Sequence, residues 1–402
     1  MSFTAVTLAL AAGIGSGIIT GLIPGVHVNL IAVIALSLSS LLLEITSATT
    51  LAVYIISLAV THSFLDSIPS IYLGAPDEAQ ALNALPGHRL LMQGLGHQAV
   101  MYTLLGSFGT LVVGIIVFPL ALMGMKFLAP FAQHSVGYLL IGIMIYMTAR
   151  EKKKWLRSLT IFLLAGCLGL LVLGTATLKQ PLLPLLSGLF GFSILLISLL
   201  QKSIVPEQKE EGSLNISKKN TVKAISAASG IGFIAAFLPG FGNSQAAIIA
   251  TNVVGDIGDE GFLTLVGGIN TANFVLSIGT IYALEKARNG AIVAVQSLLG
   301  TVTIYQVVLF LVSALLAGAV AVLLAIRISK IFARIIPKIN YAAIVWTIVV
   351  FITAMTIFFD GLIGLVILLT ATALGILTQS WGVGKNHLMG CLILPVILFF
   401  VL

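Results

Sequence analysis

The chain has 402 residues, of which 59% are hydrophobic and only 8% charged. Soluble domains carry roughly 25% charged residues, so the composition excludes an ordinary soluble enzyme and points to a polytopic membrane protein. The formal net charge of +7 gathers in three short segments and not on a basic face interleaved with aromatics, which excludes nucleic acid as a partner and speaks to membrane orientation.

Residues 4–43 form the first apolar element. It is interrupted by Gly21-Leu22-Ile23-Pro24-Gly25-Val26-His27-Val28-Asn29. Proline removes a backbone donor and glycine opens positive φ, so a helix should break here. Broken backbone survives at membrane depth only when it is buried in protein or lines a wet cavity. The N-terminus lacks the basic region of a signal peptide, so the first segment is expected to be retained.

The next elements are 47–68, 92–123, 133–149, 158–177 and 183–200. A polar link follows, rich in Lys, Glu, Ser and Asn. After it come 222–254, broken at Pro239-Gly240, then 262–284, 291–326, 341–358, 361–378 and 387–402. Six elements therefore precede the link and six follow it. This predicts a first membrane repeat over 1–200, a cytoplasmic linker over 201–221 and a second repeat over 222–402.

Placing Pro24 on Pro239 also matches Gly15 with Gly230, Gly17 with Gly232 and Gly25 with Gly240. Further on, the Phe64, Ser67, Ile68, Ile71, Tyr72 pattern matches Phe274, Ser277, Ile278, Ile281, Tyr282. Two ordered motifs at nearly equal separation favour an internal repeat. The basic segments are Arg150–Arg157, the link, and Arg327–Lys338. All three are expected to be cytoplasmic. Helix parity then makes each broken element a re-entrant hairpin and places equivalent loops on opposite faces. The expected fold is an all-α polytopic membrane protein with about 10–12 transmembrane helices, broken or re-entrant helices included, in two inverted-topology repeats.

At such a break the outgoing half-helix exposes free N–H groups and a positive dipole end, which suit a carboxylate or phosphate. Pro24, Gly25, His27 and Asn29 at the first break are the candidate substrate-binding residues. Their counterparts at the second are Pro239, Gly240, Gly242, Asn243, Ser244 and Gln245. A second pair of polar motifs holds His62, Ser63, Asp66 and Ser67 in one half, and Asn270, Asn273 and Ser277 in the other. An acid with a histidine four residues earlier on one helix face marks a coupling-ion or proton site. The alternatives are an interfacial helix end for Asp66 and interhelical hydrogen-bond glue for the asparagines.

Arg89 could clamp a substrate carboxylate or belong to a polar connector. His88, His97, His134 and His387 read as loop or interface residues, and Glu44 and Asp360 as interfacial loop charges. Cys167 and Cys391 read as packed thiols. No CxxC or HExxH pattern suggests a metal, and no Walker A motif supplies ATP.

The order of motifs resembles the TctA-type large permease of tripartite tricarboxylate transporters. The resemblance rests on Gly15, Gly17, Gly21, Pro24 and Gly25; Ile68-Pro69; Pro239-Gly240-Phe241-Gly242; and Asn270 with Asn273. The sequence departs from the family pattern at His27, where the family has glycine, and at Ser70. The resemblance implies cation-coupled uptake of a carboxylate, with a small membrane subunit and an extracytoplasmic binding protein as partners. The expected function is a secondary transporter in the cell membrane, moving a small organic anion such as a di- or tricarboxylate. It would be coupled to Na+ or H+ by alternating access, with no other cofactor and no enzyme activity; a homodimer stays open. The competing readings are a polyprenyl-phosphate or other lipid-phosphate translocase, an intramembrane enzyme using His62, Asp66 or Ser67, and a structural scaffold.

Overall fold

The computed structural model describes residues 2–23, 28–74, 82, 84–200, 205–210, 214–237, 242–287, 289–339 and 341–401. The described residues are helical almost throughout and contain no strand. Before the link run α1 (Phe3–Leu22), α2 (Val28–Ser37), α3 (Ser39–Leu42), α4 (Ala48–Leu65), α5 (Ser67–Tyr72) and α6 (Ala84–Met92). They are followed by α7 (Gly96–Ile116), α8 (Phe118–Arg150), α9 (Trp155–Leu173), α10 (Leu182–Leu186) and α11 (Ser193–Leu200). After the link come α12 (Lys218–Phe237), α13 (Asn243–Val254), α14 (Gly258–Ala283), α15 (Gly290–Leu299), α16 (Ile304–Ile335), α17 (Tyr341–Ser380) and α18 (Gly390–Val401).

Among the described residues, seven helices are long and apolar enough to cross a membrane, and shorter apolar helices supplement them. Large side chains such as Leu120, Met123, Leu171, Leu323, Phe358 and Leu362 are exposed on the outer surface, as a bilayer solvent requires. The chain is therefore an all-α polytopic membrane protein.

Several boundaries differ from the sequence expectation, and the element 291–326 divides into α15 and α16 at Gly300, whose φ is 67°. The elements 92–123 and 133–149 become α7 and a continuous 33-residue α8. Pro119 sits in the first turn of α8, where its missing N–H costs nothing. The elements 341–358 and 361–378 merge into α17 across a kink at Gly361, whose φ of 62° breaks the helical path.

The two interrupted elements both have short outgoing legs. α2 has 10 residues and α13 has 12, which is about 15 and 18 Å at 1.5 Å per residue, against a hydrocarbon core of about 30 Å. Each incoming leg packs on the next long helix, α1 on α4 and α12 on α14. The aligned glycines set both contacts. A Cβ on Gly17 would sit 2.6 Å from the Thr61 Cβ, and one on Gly232 would sit 2.5 Å from the Ala272 Cβ. Gly15 and Gly230 have nothing within 4 Å. Small residues at the crowded positions let the backbones approach, which drives helix association in lipid.

Packing then crosses the link. α4 lies along α16, and α14 lies along α7; α9 packs on α18, and the 182–200 stretch packs on α17. α4 with α5, and α14, are the most enclosed of the spanning helices.

The three basic segments share one face. Lys154 Nζ donates to the Gly382 carbonyl at 2.8 Å, and His387 Nε2 lies 3.3 Å from Glu151. Lys209 N–H donates to the Gly94 carbonyl at 2.8 Å, and Arg334 forms a two-pronged pair with Glu210. Arg89 pairs with Asp259, and both line a cavity with Arg150. On the opposite face Gln306 Nε2 reaches Thr49 Oγ1 at 3.0 Å.

Several single-residue expectations change. His88, His97 and His387 are buried, not loop residues. Asp360 is buried, and its Oδ1 accepts from the backbone N–H groups of Lys179 and Gln180 at 2.7 and 2.9 Å. It holds the turn before α10 and is not a loop charge. Cys391 is buried, but Cys167 is exposed on the outer surface.

Candidate functional site

Pro24, Gly25, His27, Pro239 and Gly240 lie outside the described residues. The incoming side of the first break and the outgoing side of the second converge on the junction of α4 and α14. On one side is the last turn of α1. A Cβ on Gly21 would sit 3.0 Å from the His62 carbonyl oxygen and 2.9 Å from the Leu65 Cβ. On the other side is the first turn of α13, whose Gly242 is extended at the cap position.

Asp66 sits where α4 ends and α5 begins, and it is buried. Asn270 Nδ2 donates to Asp66 Oδ2 at 3.1 Å and lies 3.4 Å from the Ser63 carbonyl. Asn243 Nδ2 donates to Asn270 Oδ1 at 2.9 Å, and Asn273 Nδ2 donates to Asn243 Oδ1 at 2.6 Å. The three amides thus donate in series toward one carboxylate. Turning any of them would face oxygen to oxygen. A charge at the end of such a row polarises every bond in it.

This row spans the link. Asp66 belongs to the first half, and Asn243, Asn270 and Asn273 to the second. Asn243 is the first residue of α13, where the N–H groups of a helix start have no intrahelical acceptor. The hydrogen-bonded row therefore joins Asp66 through Asn270 to Asn243 at the edge of the second break.

The serines support the frame. Ser63 and Ser67 hydroxyls donate to the carbonyls of Val60 and Phe64, at 2.9 and 3.3 Å. Ser277 Oγ donates to the Asn273 carbonyl at 2.6 Å, which fixes α14 where Asn273 leaves it. His62 is buried one turn before Asp66.

Three expected substrate residues point elsewhere or stand apart. Asn29 lies against the start of α15, with its Cγ 2.6 Å from where a Gly290 Cβ would be. Gln245 is buried and faces Asn386 and His387, not the amide row. Ser244 is buried beside Asn243 in the first turn of α13. Arg89, read as a possible carboxylate clamp, is bidentate to Asp259, with Nε to Oδ2 at 3.0 Å.

What sequence reasoning missed is Lys385. It is buried, it lines the cavity on the basic face, and its ammonium donates to Ser193 Oγ at 3.0 Å. A lysine opening a short apolar terminal element was the available signal.

Broken helices flanking a buried acid and a file of amides, all inside a helical membrane domain, define the architecture of a membrane transport protein. The chain belongs to the tripartite tricarboxylate transporter TctA family, whose model matches residues 7–390. An uncharacterised protein of Methanocaldococcus jannaschii is 27% identical over 402 residues, with 98% of each chain covered. No solved structure matches the chain.

Proposed function

We propose that the protein is a secondary active transporter for a small organic anion, a di- or tricarboxylate, driven by Na+ or H+. The observation that carries this reading is the polarised row from Asn273 through Asn243 and Asn270 to Asp66. A buried carboxylate in a membrane protein is costly and serves a cation pathway by default. A cation arriving at Asp66 cancels the charge that orients the row. The Asn243 amide is then released at the first turn of α13, where the substrate's carboxylate would sit on the free N–H groups. Binding of cation and anion is coupled through these side chains, and each favours the other by the same factor.

Alternating access would come from two inverted-topology repeats, residues 1–200 and 222–402. Three features support that arrangement. The outgoing legs α2 and α13 are too short to span. The glycine pairs Gly17 and Gly232 make matching contacts, while Gly15 and Gly230 are both open. Packing is exchanged, with α4 on α16 and α14 on α7. The basic face would be cytoplasmic in the cell membrane. The family description, a tripartite system, supports a small membrane subunit and an extracytoplasmic binding protein as partners.

The test is uptake into proteoliposomes of labelled citrate, smaller dicarboxylates and a polyprenyl phosphate, under imposed Na+ or pH gradients. Accumulation of a carboxylate under one gradient supports the reading. Movement of the lipid phosphate alone would overturn it.

A further inference from the structure

A cavity of about 410 Å3 opens on the basic face, at the far end of α13 from Asn243. Its charged lining is Arg89, Arg150, Lys385, Asp256 and Asp259, with Asn386 beside Lys385. Arg89 and Asp259 neutralise each other as a bidentate pair. Asp256 Oδ1 accepts from the Gly258 N–H at 3.0 Å within its own turn. Lys385 is different. Its residue is only 8% exposed, and its ammonium has one neutral partner, Ser193 Oγ. Among the described residues no carboxylate lies within ion-pair distance of it. An ammonium has three donors and a steep desolvation cost, and burial lowers the Lys385 pKa to about 7, so an arriving anion would hold this amine in its charged form.

His88, also buried, lies close enough to feel the charge of Lys385, and its own pKa is lowered to about 4, first by burial and then by that charge. It adds no second cation at neutral pH. Nearby Glu151 accepts a hydrogen bond from His387, whose pKa is lowered by burial, so the Glu151 charge is not cancelled, but Glu151 lies outside ion-pair distance of Lys385. Among the described residues the cavity thus holds one buried amine outside any ion pair, a second basic group at its wall in Arg150, and a neutral amide.

We infer that this cavity is a second anion site, a vestibule on the basic face that binds a small oxyanion, carboxylate or phosphate, on Lys385 with Arg150 and Asn386. The inference rests on the transport reading only for its place on the route: α13 joins the vestibule at Thr251 and Gly255 to the amide row at Asn243. An anion leaving or approaching the central site would be handed along this helix.

The test uses the full-length protein in lipid nanodiscs and calorimetric titration with citrate and, separately, with inorganic phosphate. Wild type is compared with Lys385→Gln, and Asn243→Ala with Asn243→Ala/Lys385→Gln, so that the central site is impaired in the second comparison. The expected result is a loss of about tenfold or more in affinity for at least one anion in both comparisons, as removal of a single charge-assisted contact implies. Loss for citrate alone assigns a carboxylate, and loss for phosphate alone assigns a phosphate. Equal binding with and without Lys385, or no binding by wild type, overturns the inference. Should Lys385→Gln fail to fold, Asn386→Ala and Arg150→Gln carry the same comparison. Lys385-dependent binding without gradient-driven uptake would leave the vestibule standing while the transport reading falls. Uptake with Lys385-independent binding would do the reverse.

Discussion

Asn270 on α14 donates to the Asp66 carboxylate at 3.1 Å, across 204 residues of chain. The bond joins the acid of one half to the amide row of the other. Asn270→Ala leaves a buried carboxylate and a buried amide each short of a partner. The expected cost is about 1–3 kcal/mol, seen as a roughly 5- to 150-fold loss in apparent affinity for the coupling cation. Cation-activation curves for uptake check this. An unchanged activation constant would separate Asn270 from coupling.

The glycine contacts make a paired prediction. Gly17→Val and Gly232→Val push side chains into Thr61 and Ala272. Each should lower stability by about 1–3 kcal/mol, as overpacking does. Gly15→Ala and Gly230→Ala meet nothing within 4 Å and should stay within about 1 kcal/mol of wild type, on the favourable side through helix propensity. Thermal melts of the four variants in one detergent check the pattern, and equal losses at all four positions would contradict it.

His88 gives a pH prediction. Its pKa in the folded protein is lowered to about 4, while the unfolded chain titrates near 6.5. The unfolded state therefore takes the proton first. The stability contributed by neutral His88 is full above pH 6.5 and is lost as pH falls toward 4, by up to about 3 kcal/mol. Wild type should destabilise more steeply than His88→Gln between those values. Parallel stability profiles for the two proteins would contradict the assignment.

Gln208 anchors the link beside the Lys209–Gly94 bond and the Arg334–Glu210 pair. Gln208 Nε2 donates to the carbonyls of Leu91 and Pro206 at 2.9 and 2.8 Å, and its Oε1 accepts from Gly96 N–H at 2.9 Å. Gln208→Ala removes the anchor at a cost of about 1–2 kcal/mol. Cleavage of the link by a soluble protease should rise about tenfold, because cleavage follows local opening. An unchanged cleavage rate would show that the Lys209–Gly94 bond and the Arg334–Glu210 pair hold the segment without Gln208.

The membrane class was legible because apolar content and charge depletion are properties of the whole chain. The breaks were legible because proline and glycine act locally, and Asp66, Asn270 and Asn273 stood out because bilayer helices seldom carry such groups. The joining of Asn243 to Asn270 was not legible, since it depends on how α13 lies against α14. The partner of Arg89 was hidden for the same reason: Asp259 lies 170 residues away. Burial was also poorly legible. In a bilayer the lipid-facing and protein-facing sides are both apolar, so nothing separated exposed Cys167 from buried Cys391. The continuity of α8 was missed because Lys126 to His134, with Pro130 inside it, reads as a loop, while the helix runs on from Phe118 to Arg150.

The most direct test of the central claim compares two transport modes in the same proteoliposomes, gradient-driven accumulation of a labelled carboxylate and its exchange without a gradient. Asp66→Asn should abolish accumulation, by tenfold or more, yet keep exchange, because it removes the cation site and leaves the α13 terminus. Asn243→Ala should lose both, because it alters the terminus where the anion is held. Accumulation by Asp66→Asn at the wild-type level, or exchange by Asn243→Ala at the wild-type level, would contradict a site coupled through the Asp66–Asn270–Asn243 row.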